Sequence, residues 1–260
     1  PGPGFNQLLD VIRSEVITYA GDQSGKFTEA PAAGALAERV TAMHKQLIEY
    51  IAEADDTLME KWMDKGTLTE EELRAGLHAA VQKQSFVPVF CTSALDNIGV
   101  ARLMDMIAKY GSSPADRKTV KAQDAEGREC DVTLNGSETV CYVFKTMSEA
   151  QFGELSFFRV YSGQVKSGSE LYNIDRRVSE KIGQLYLLNG KMRDLAPALN
   201  AGDIGAVVKL KDTHTGNTLC SVKHPVALPK VVYPKPNIHA ALKSVVKGEE
   251  DKIATGLAAL

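Results

Sequence analysis

The chain has 260 residues, of which 44% are hydrophobic and 24% charged, and its formal net charge is −3. This length suffices for two domains, and the composition is that of an ordinary soluble globular protein. No apolar run approaches the ~18–20 residues of a membrane span, and the opening Pro1-Gly2-Pro3-Gly4 has neither the basic nor the apolar region of a signal peptide.

Charge is distributed unevenly along the chain. Residues 1–113 have a net charge of −6, residues 114–228 of +1 and residues 229–260 of +2. The acidic first part is therefore a poor binder of phosphate backbones, and RNA contacts are expected only from local basic patches further on. The four cysteines include no CxxC pair and the five histidines have no ligand spacing, so we predict free thiols and no metal site.

The first part of the chain begins with a short strand or helix start followed by a strand, over residues 5–19, and a turn at Gly21–Gly25. From Ala35 to about Lys65, apolar residues recur at steps of three and four. This period predicts one long amphipathic helix or a helix pair. In the helix pair, Asp55-Asp56 caps the second helix and Gly66 ends it.

A second group of elements follows. Thr69 and Glu72 have the spacing of a capping box, at the start of a helix that runs to about Lys83. Residues 85–92 (SFVPVFCT) form a short apolar run, which predicts a strand buried on both faces of a parallel sheet. Residues 99–110 predict another helix, so this region is interpreted as the end of an α/β domain with a helical insertion.

Residues 111–135 are predicted to be a linker and the entry into an all-β domain that extends to Leu228. The predicted strands of this domain are 140–145, 153–161, 169–174, 178–187, 204–210 and 218–222. After a rigid connector at 233–236, residues 237–246 predict a strand and Glu249–Leu260 the start of a helix. We expect this last βα piece to be cut short, because about 30 residues cannot bury a core of their own.

The chain lacks the motifs of several catalytic classes. It contains no GxxxxGK[ST] loop to hold phosphates and no NKxD sequence to read guanine. The short DxxG matches at Asp96–Gly99 and Asp124–Gly127 are attributed to chance. No catalytic residue is predicted, and independent catalysis by this chain is not expected.

Ser93-Ala94-Leu95 directly follow the apolar run at 85–92. Ligands of α/β sheets bind at the carboxyl ends of strands, and a turn of small residues lets backbone amides approach a base closely. An ordinary strand-to-helix turn capped by Ser93 or Asp96 explains the same residues. Both interpretations stay open on the residues alone.

The densest β pattern lies at residues 140–173. Two runs rich in Val, Tyr and Phe flank a polar turn at Met147–Gln151, and Gly163 and Gly168 bracket a short run that ends in Lys166. Period-2 apolar residues with closely spaced glycines predict an antiparallel barrel. Arg159 and Lys166 are candidates for phosphate contact, although solvated surface charges explain them equally well.

The sequence of this region resembles the second domain of translational GTPases, most closely the elongation factor G family. The similar segments are GELSFFRVYSGQVKSG at 153–168, AGDI at 201–204 and TGNTLC at 215–220. Ser93-Ala94-Leu95, within FVPVFCTSALDNIGVARLMDMI, resembles the fifth GTPase motif, whose backbone recognises guanine O6. The long helix, Trp62, Gly66 and the TEEEL sequence at 69–73 resemble the G′ insertion of that family.

The resemblance implies an α+β multidomain fold with three parts. Residues 1–113 would be the C-terminal part of an α/β GTPase domain with its helical G′ insertion, 114–228 a translation-factor β-barrel second domain, and 229–260 the truncated start of a third domain. The whole would be an internal fragment of an elongation factor G-like GTPase that acts on the cytoplasmic ribosome in tRNA–mRNA translocation.

The resemblance also implies sites and partners. Ser93, Ala94 and Leu95 would contact the guanine side of the nucleotide, and Arg159 and Lys166 would contact ribosomal RNA. The parent protein would use GTP and Mg²⁺, whereas this chain is expected to bind neither tightly and to lack GTP hydrolysis. The expected partners are small-subunit RNA through the barrel and the large-subunit stalk protein through G′, with no membrane and no DNA.

The turn at Met147–Phe152 and Leu95 itself depart from the usual family sequence, which indicates a divergent paralogue. Two alternatives remain open. One is a ribosomal protection protein or release-factor-type GTPase of the same superfamily, and the other is a non-catalytic RNA- or protein-binding module. The sequence upstream of Pro1 would discriminate between the GTPase and the binding module.

Overall fold

The computed structural model describes residues 2, 4–53, 55–149 and 153–258. The chain divides into two compact units, Pro1–Ser113 and Pro114–Leu260. The finer division of the second unit at residue 228 stays a prediction. Part of the predicted turn at Met147–Phe152, residues 150–152, lies outside the described residues.

The first unit begins with an antiparallel sheet in the order β1-β2-β3. Its strands are β1 (Gln7–Asp10), β2 (Glu15–Tyr19) and β3 (Phe27–Pro31). Ile17 and Tyr19 of β2 are each 2% exposed and pack with Ile98. The sequence pattern did not predict β3, because every residue of this strand is exposed and no apolar alternation marks it.

Four helices complete the first unit: α1 (Ala35–Ala52), α2 (Asp56–Lys65), α3 (Glu70–Gln82) and α4 (Val100–Tyr110). The helix pair is confirmed, since the Asp55 side chain caps α2 by accepting from two backbone amides and Gly66 ends it in the left-handed conformation. The capping box of Thr69 and Glu72 is confirmed in both halves.

Helices α1, α2 and α3 share one apolar core. Its buried residues are Ile48, Ile51, Leu68, Leu73 and Leu77. Gly76 lies in the middle of α3, where a Cβ atom would come within 2.6 Å of both Ile51 Cγ2 and Leu58 Cδ1. Glycine is unfavourable inside a helix, and here it allows α3 to approach α1 and α2 closely.

The prediction of a buried strand at 85–92 is wrong for this structure. These residues form no strand, and Val87 and Val89 are 77% and 87% exposed. A strand requires at least one hydrogen-bonded neighbour, and no described segment pairs with this one. Met104 and Ile107 of α4 are also exposed, whereas Phe86, Met106 and Tyr110 are partly buried against the core of α1, α2 and α3.

The second unit opens with a 3₁₀ turn (Pro114–Asp116) and an antiparallel sheet in the order β16-β4-β5. Its strands are β4 (Thr119–Asp124), β5 (Glu129–Thr133) and β16 (Val226–Ala227). Residues 111–135, predicted to be a linker and the entry into the next domain, thus contain two strands of that domain, which the sequence pattern did not predict. Val120, Ala122, Cys130 and Val132 pack into a core that they share with Val140, Tyr142, Cys220 and Leu228. Their alternation with polar residues is the period-2 pattern of a half-buried strand.

An eight-stranded antiparallel sheet follows, in the order β10-β9-β15-β6-β7-β14-β11-β12, together with the pair β13-β8. The strands are β6 (Val140–Glu149), β7 (Gly153–Ser162), β8 (Gln164–Lys166), β9 (Glu170–Asn173), β10 (Val178–Lys181), β11 (Leu185–Asn189), β12 (Met192–Ala196), β13 (Ala198–Asn200), β14 (Ile204–Val208) and β15 (Thr218–Cys220). The single run predicted at 178–187 is two strands, which separate at Ile182–Gln184.

The eight-stranded sheet curves into a barrel-like form around one core. Leu171 and Ile182 near one edge and Ala196 at the other belong to the same buried cluster as Phe158 and Val160 at the centre. Ser167, just after β8, joins the two edges: its backbone N–H donates to Pro197 O, and its hydroxyl donates to Gly183 O. The predicted antiparallel barrel is thus confirmed as a barrel-like fold.

The end of the chain differs from its prediction. Residues 237–246 form no strand, and Ile238 and Val245 are 86% and 100% exposed. As at 85–92, apolar residues in an extended segment do not form a strand without a partner. The expected helix is present as α5 (Glu250–Ala258).

Candidate functional site

The predicted guanine-side residues lie in a tight turn closed by an isolated bridge between Ser93 and Ile98. These two residues exchange both backbone hydrogen bonds, each 2.9 Å long. Within the turn, the Ser93 hydroxyl donates to the Asp96 carboxylate over 2.8 Å and accepts from the Asp96 amide over 3.3 Å. The polar side chains of Ser93 and Asp96 are therefore used in shaping the turn itself.

The apex of this turn presents free donors. The backbone amides of Ala94 and Leu95 find no acceptor among the described residues, and both residues are exposed, Leu95 to 83%. Adjacent unpaired amides form a concave donor surface that suits an anion or a carbonyl oxygen. The donor set fits a carbonyl such as guanine O6, and Ala94 supplies no bulk that would obstruct it.

Asn97 belongs to the same turn, although sequence reasoning did not single it out. Its backbone is left-handed (φ 54°) and its side-chain amide donates to Gln23 O over 3.3 Å. Asparagine tolerates left-handed backbone better than most residues do. This tolerance is the only local signal for Asn97, and it says nothing of a contact 74 residues away.

The candidate RNA contacts of the second unit do not form one cluster. Arg159 lies on β7, with its guanidinium 5.4 Å from the Tyr161 ring centroid. It lines a cavity of about 20 Å³, enough for about one water molecule, together with Arg117 and Val120. Lys166 is exposed at the end of β8, in the separate β13-β8 pair, and does not line this cavity.

The described part of the chain offers little support for a metal site, a membrane-spanning helix or a nucleophilic cysteine. No group of three or more His, Cys, Asp or Glu side chains there is placed to hold a metal ion, and no described helix has the length and apolarity needed to cross a membrane. All four cysteines are unpaired. Burial raises the pKa of the Cys141 thiol, which disfavours the thiolate needed for nucleophilic chemistry.

Two comparisons with known proteins agree with this architecture. Residues 153–220, from β7 to β15, match the family model of elongation factor Tu domain 2. A crystal structure of a protein from Thermus thermophilus superposes on the whole chain with a TM-score of 0.79 and 25% sequence identity. The family match identifies residues 153–220 as similar to the second domain of a translation elongation factor. The chain covers 36% of the length of the Thermus protein.

Proposed function

We propose that this chain is part of an elongation factor G-like GTPase that acts on the ribosome during tRNA–mRNA translocation. The observation that carries the proposal is the match of β7–β15 to elongation factor Tu domain 2. The turn at Ser93–Ile98, with two unpaired amides at its apex, gives independent support from the first unit. A general role in translation follows from the match, and the translocation step is the proposed refinement.

Ser93, Ala94 and Leu95 contact the guanine side of the nucleotide in this proposal. When bound to the parent protein, GTP with Mg²⁺ supplies the phosphoanhydride bond that is hydrolysed. The present sequence has neither GxxxxGK[ST] nor NKxD, so the groups that hold the phosphates and read the opposite edge of the base must be supplied from elsewhere. The chain by itself is expected to be inactive in hydrolysis.

The two units have different partners in the proposed complex. Arg159 and Lys166 contact phosphates of small-subunit ribosomal RNA, supported by their place on a unit that is less acidic than the first. Helices α1–α3, with the G′-like sequence, contact the stalk protein of the large subunit.

Co-sedimentation of the chain with ribosomes tests the RNA contacts. Replacing both Arg159 and Lys166 by Ala is expected to weaken binding about tenfold and to lower the slope of log affinity against log salt by about 1 per lost contact. The control is the double variant Lys191→Ala, Lys223→Ala, which removes the same charge from two exposed positions elsewhere on the second unit.

Equal losses of ribosome affinity in the two double variants would show that only net charge matters, and the assignment of RNA contacts to Arg159 and Lys166 would be wrong. Absence of ribosome binding by the unmodified chain would defeat the proposed function itself. A separate assay without ribosomes is expected to show no GTP hydrolysis. Measurable turnover would contradict the proposal that the chain by itself lacks the groups needed for hydrolysis.

A further inference from the structure

The tip of the β2–β3 hairpin contacts the turn that carries the free amides. Asn97 Nδ2 donates to Gln23 O at this tip. Gly25 lies against the same side chain, and a Cβ atom at Gly25 would be only 2.6 Å from Asn97 Nδ2. Gln23, Gly25 and Asn97 all have left-handed backbone, with φ between 54° and 73°, so two tight turns meet at one amide group.

The hairpin tip is itself well ordered by local hydrogen bonds. The Asp22 carboxylate accepts from the amide of Ser24 over 3.0 Å and from its hydroxyl over 2.6 Å. The Ser24 hydroxyl in turn accepts from the Lys26 amide over 3.2 Å, and the Ala20 amide donates to Lys26 O over 2.9 Å. The hydrogen bonds from Ser24 lower the pKa of Asp22, because they favour the ionised carboxylate that accepts them.

The body of the hairpin is attached to α4 independently of Asn97. Arg102 forms an ion pair with Glu29 and lies 5.4 Å over the Phe27 ring, while Ile98 packs with Ile17. These contacts dock the sheet on the first turn of α4. The hydrogen bond between Asn97 and Gln23 is therefore not needed to hold the sheet against α4. What it restrains instead is the turn between Ser93 and Ile98.

We propose that Asn97 is a positioning residue for the guanine-side turn and that the tip of the β2–β3 hairpin is the clamp that holds it. The inference rests on the proposed nucleotide role of Ser93–Leu95. The bridge between Ser93 and Ile98 sets the direction of the amides of Ala94 and Leu95, and Asn97 is the residue directly before Ile98. Fixing its side chain to Gln23 O restricts the half of the turn that the Ser93–Asp96 hydrogen bonds leave free.

Amide hydrogen exchange of the 260-residue chain, measured by NMR, tests the clamp without any nucleotide. Asn97→Asp keeps the size of the side chain and its tolerance of left-handed backbone but removes the donor. Protection of the Ser93 and Ile98 amides is expected to fall about fivefold, the worth of one hydrogen bond. Gly25→Ala, whose Cβ would displace the Asn97 amide, is expected to have the same effect.

Gly66→Ala is the matched control. Gly66 has nearly the same φ as Gly25, 69° against 73°, but nothing lies within 4 Å of its Cβ position. The substitution Gly66→Ala therefore introduces the backbone strain of a left-handed alanine but no steric clash with a neighbour. The protection of the Ser93 and Ile98 amides against hydrogen exchange should not change. Equal losses in Gly25→Ala and Gly66→Ala, together with unchanged protection in Asn97→Asp, would overturn the clamp.

A second measurement follows the Ala94 and Leu95 amide resonances during titration with guanosine, with adenosine as the comparison. Asn97→Asp is expected to weaken guanosine binding about fivefold and to reduce the preference over adenosine, because a loosened turn aims its donors less well. Because the chain is expected to bind the base only weakly, the titration extends to millimolar guanosine. If the Ala94 and Leu95 resonances of the unmodified chain do not shift even there, the nucleotide role is wrong, and the exchange experiment still decides the clamp. If protection falls but guanosine binds as before, Asn97 supports the turn without positioning it, and the proposal is overturned.

Discussion

At the scale of single residues, Glu180 is the clearest case of a buried charge with a structural role. It lies on β10, an edge strand of the eight-stranded sheet, and is 3% exposed. Its carboxylate accepts from the amides of Lys211 and Asp212, over 3.1 and 2.7 Å, and from the Thr213 hydroxyl over 2.9 Å. A buried carboxylate is tolerated when several donors satisfy it, and this one fixes the loop between β14 and β15.

Replacing Glu180 by Gln is expected to lower the free energy of unfolding by about 2–3 kcal/mol, because an amide NH₂ then faces buried N–H donors. Urea denaturation followed by far-UV circular dichroism measures the change. Glu170→Gln, an exposed carboxylate on the neighbouring strand, should stay within about 0.5 kcal/mol of the unmodified chain. Similar losses in the two variants would argue against a specific role for Glu180.

At the scale of elements, the start of α3 combines a capping box with an ion pair. The Thr69 hydroxyl accepts from the Glu72 amide, and the Glu72 carboxylate accepts from the Thr69 amide over 3.0 Å. The same carboxylate accepts from Lys61 of α2 over 2.6 Å. The hydrogen bond from Lys61, followed by those from Thr69, lowers the pKa of Glu72 from 4.5 to about 2.

This pKa shift gives a pH dependence with a defined sign. Because the pKa of Glu72 is lower in the folded state, its stabilising contribution is complete above about pH 4.5 and is lost as pH falls through about 2. Thermal unfolding of the unmodified chain and of Glu72→Gln should therefore differ at pH 6 and converge near pH 2. Glu71→Gln, the exposed neighbour, should show no such convergence, and a difference that persists at pH 2 would contradict the assignment.

At the scale of the whole molecule, we expect different segments of the chain to resist proteolysis to different degrees. Residues 231–243 have neither helix nor strand and are exposed throughout. Proteases require extended, accessible backbone, so flexible exposed segments are cut before paired strands. The second unit should therefore lose its C-terminal segment before the barrel-like sheet is attacked.

Limited trypsin digestion with mass spectrometry tests this order of cleavage. The first cuts are expected after Lys243 and Lys247, which lie outside regular structure. The side chain of Lys145 is exposed, but its backbone belongs to β6 and pairs with β7, so it serves as the internal control. Cleavage at Lys145 as early as at Lys243 would show that the strand pairing described here does not protect the sheet.

The sequence predicted those features that depend on a few consecutive residues. The caps at Asp55 and Thr69, the stop at Gly66 and the turns at Gly163 and Gly168 follow from side-chain hydrogen bonds and left-handed backbone. The candidate turn at Ser93–Leu95 was also found from sequence. The sequence predicted that backbone amides of this turn are accessible, but it did not show which of them lack acceptors, because that depends on the folded turn.

What the sequence determined by itself is therefore local: helical periods, caps, glycine turns and the alternation of the main barrel strands. Only the tertiary structure decided which apolar segments pair. It left 85–92 and 237–246 without a strand partner among the described residues, formed β4 and β5 from a segment that looked like a linker, and brought Asn97 to Gln23 across 74 residues of chain. Strand pairing and long-range contacts depend on which distant segments of the chain come together in space, and a local sequence pattern does not identify those segments.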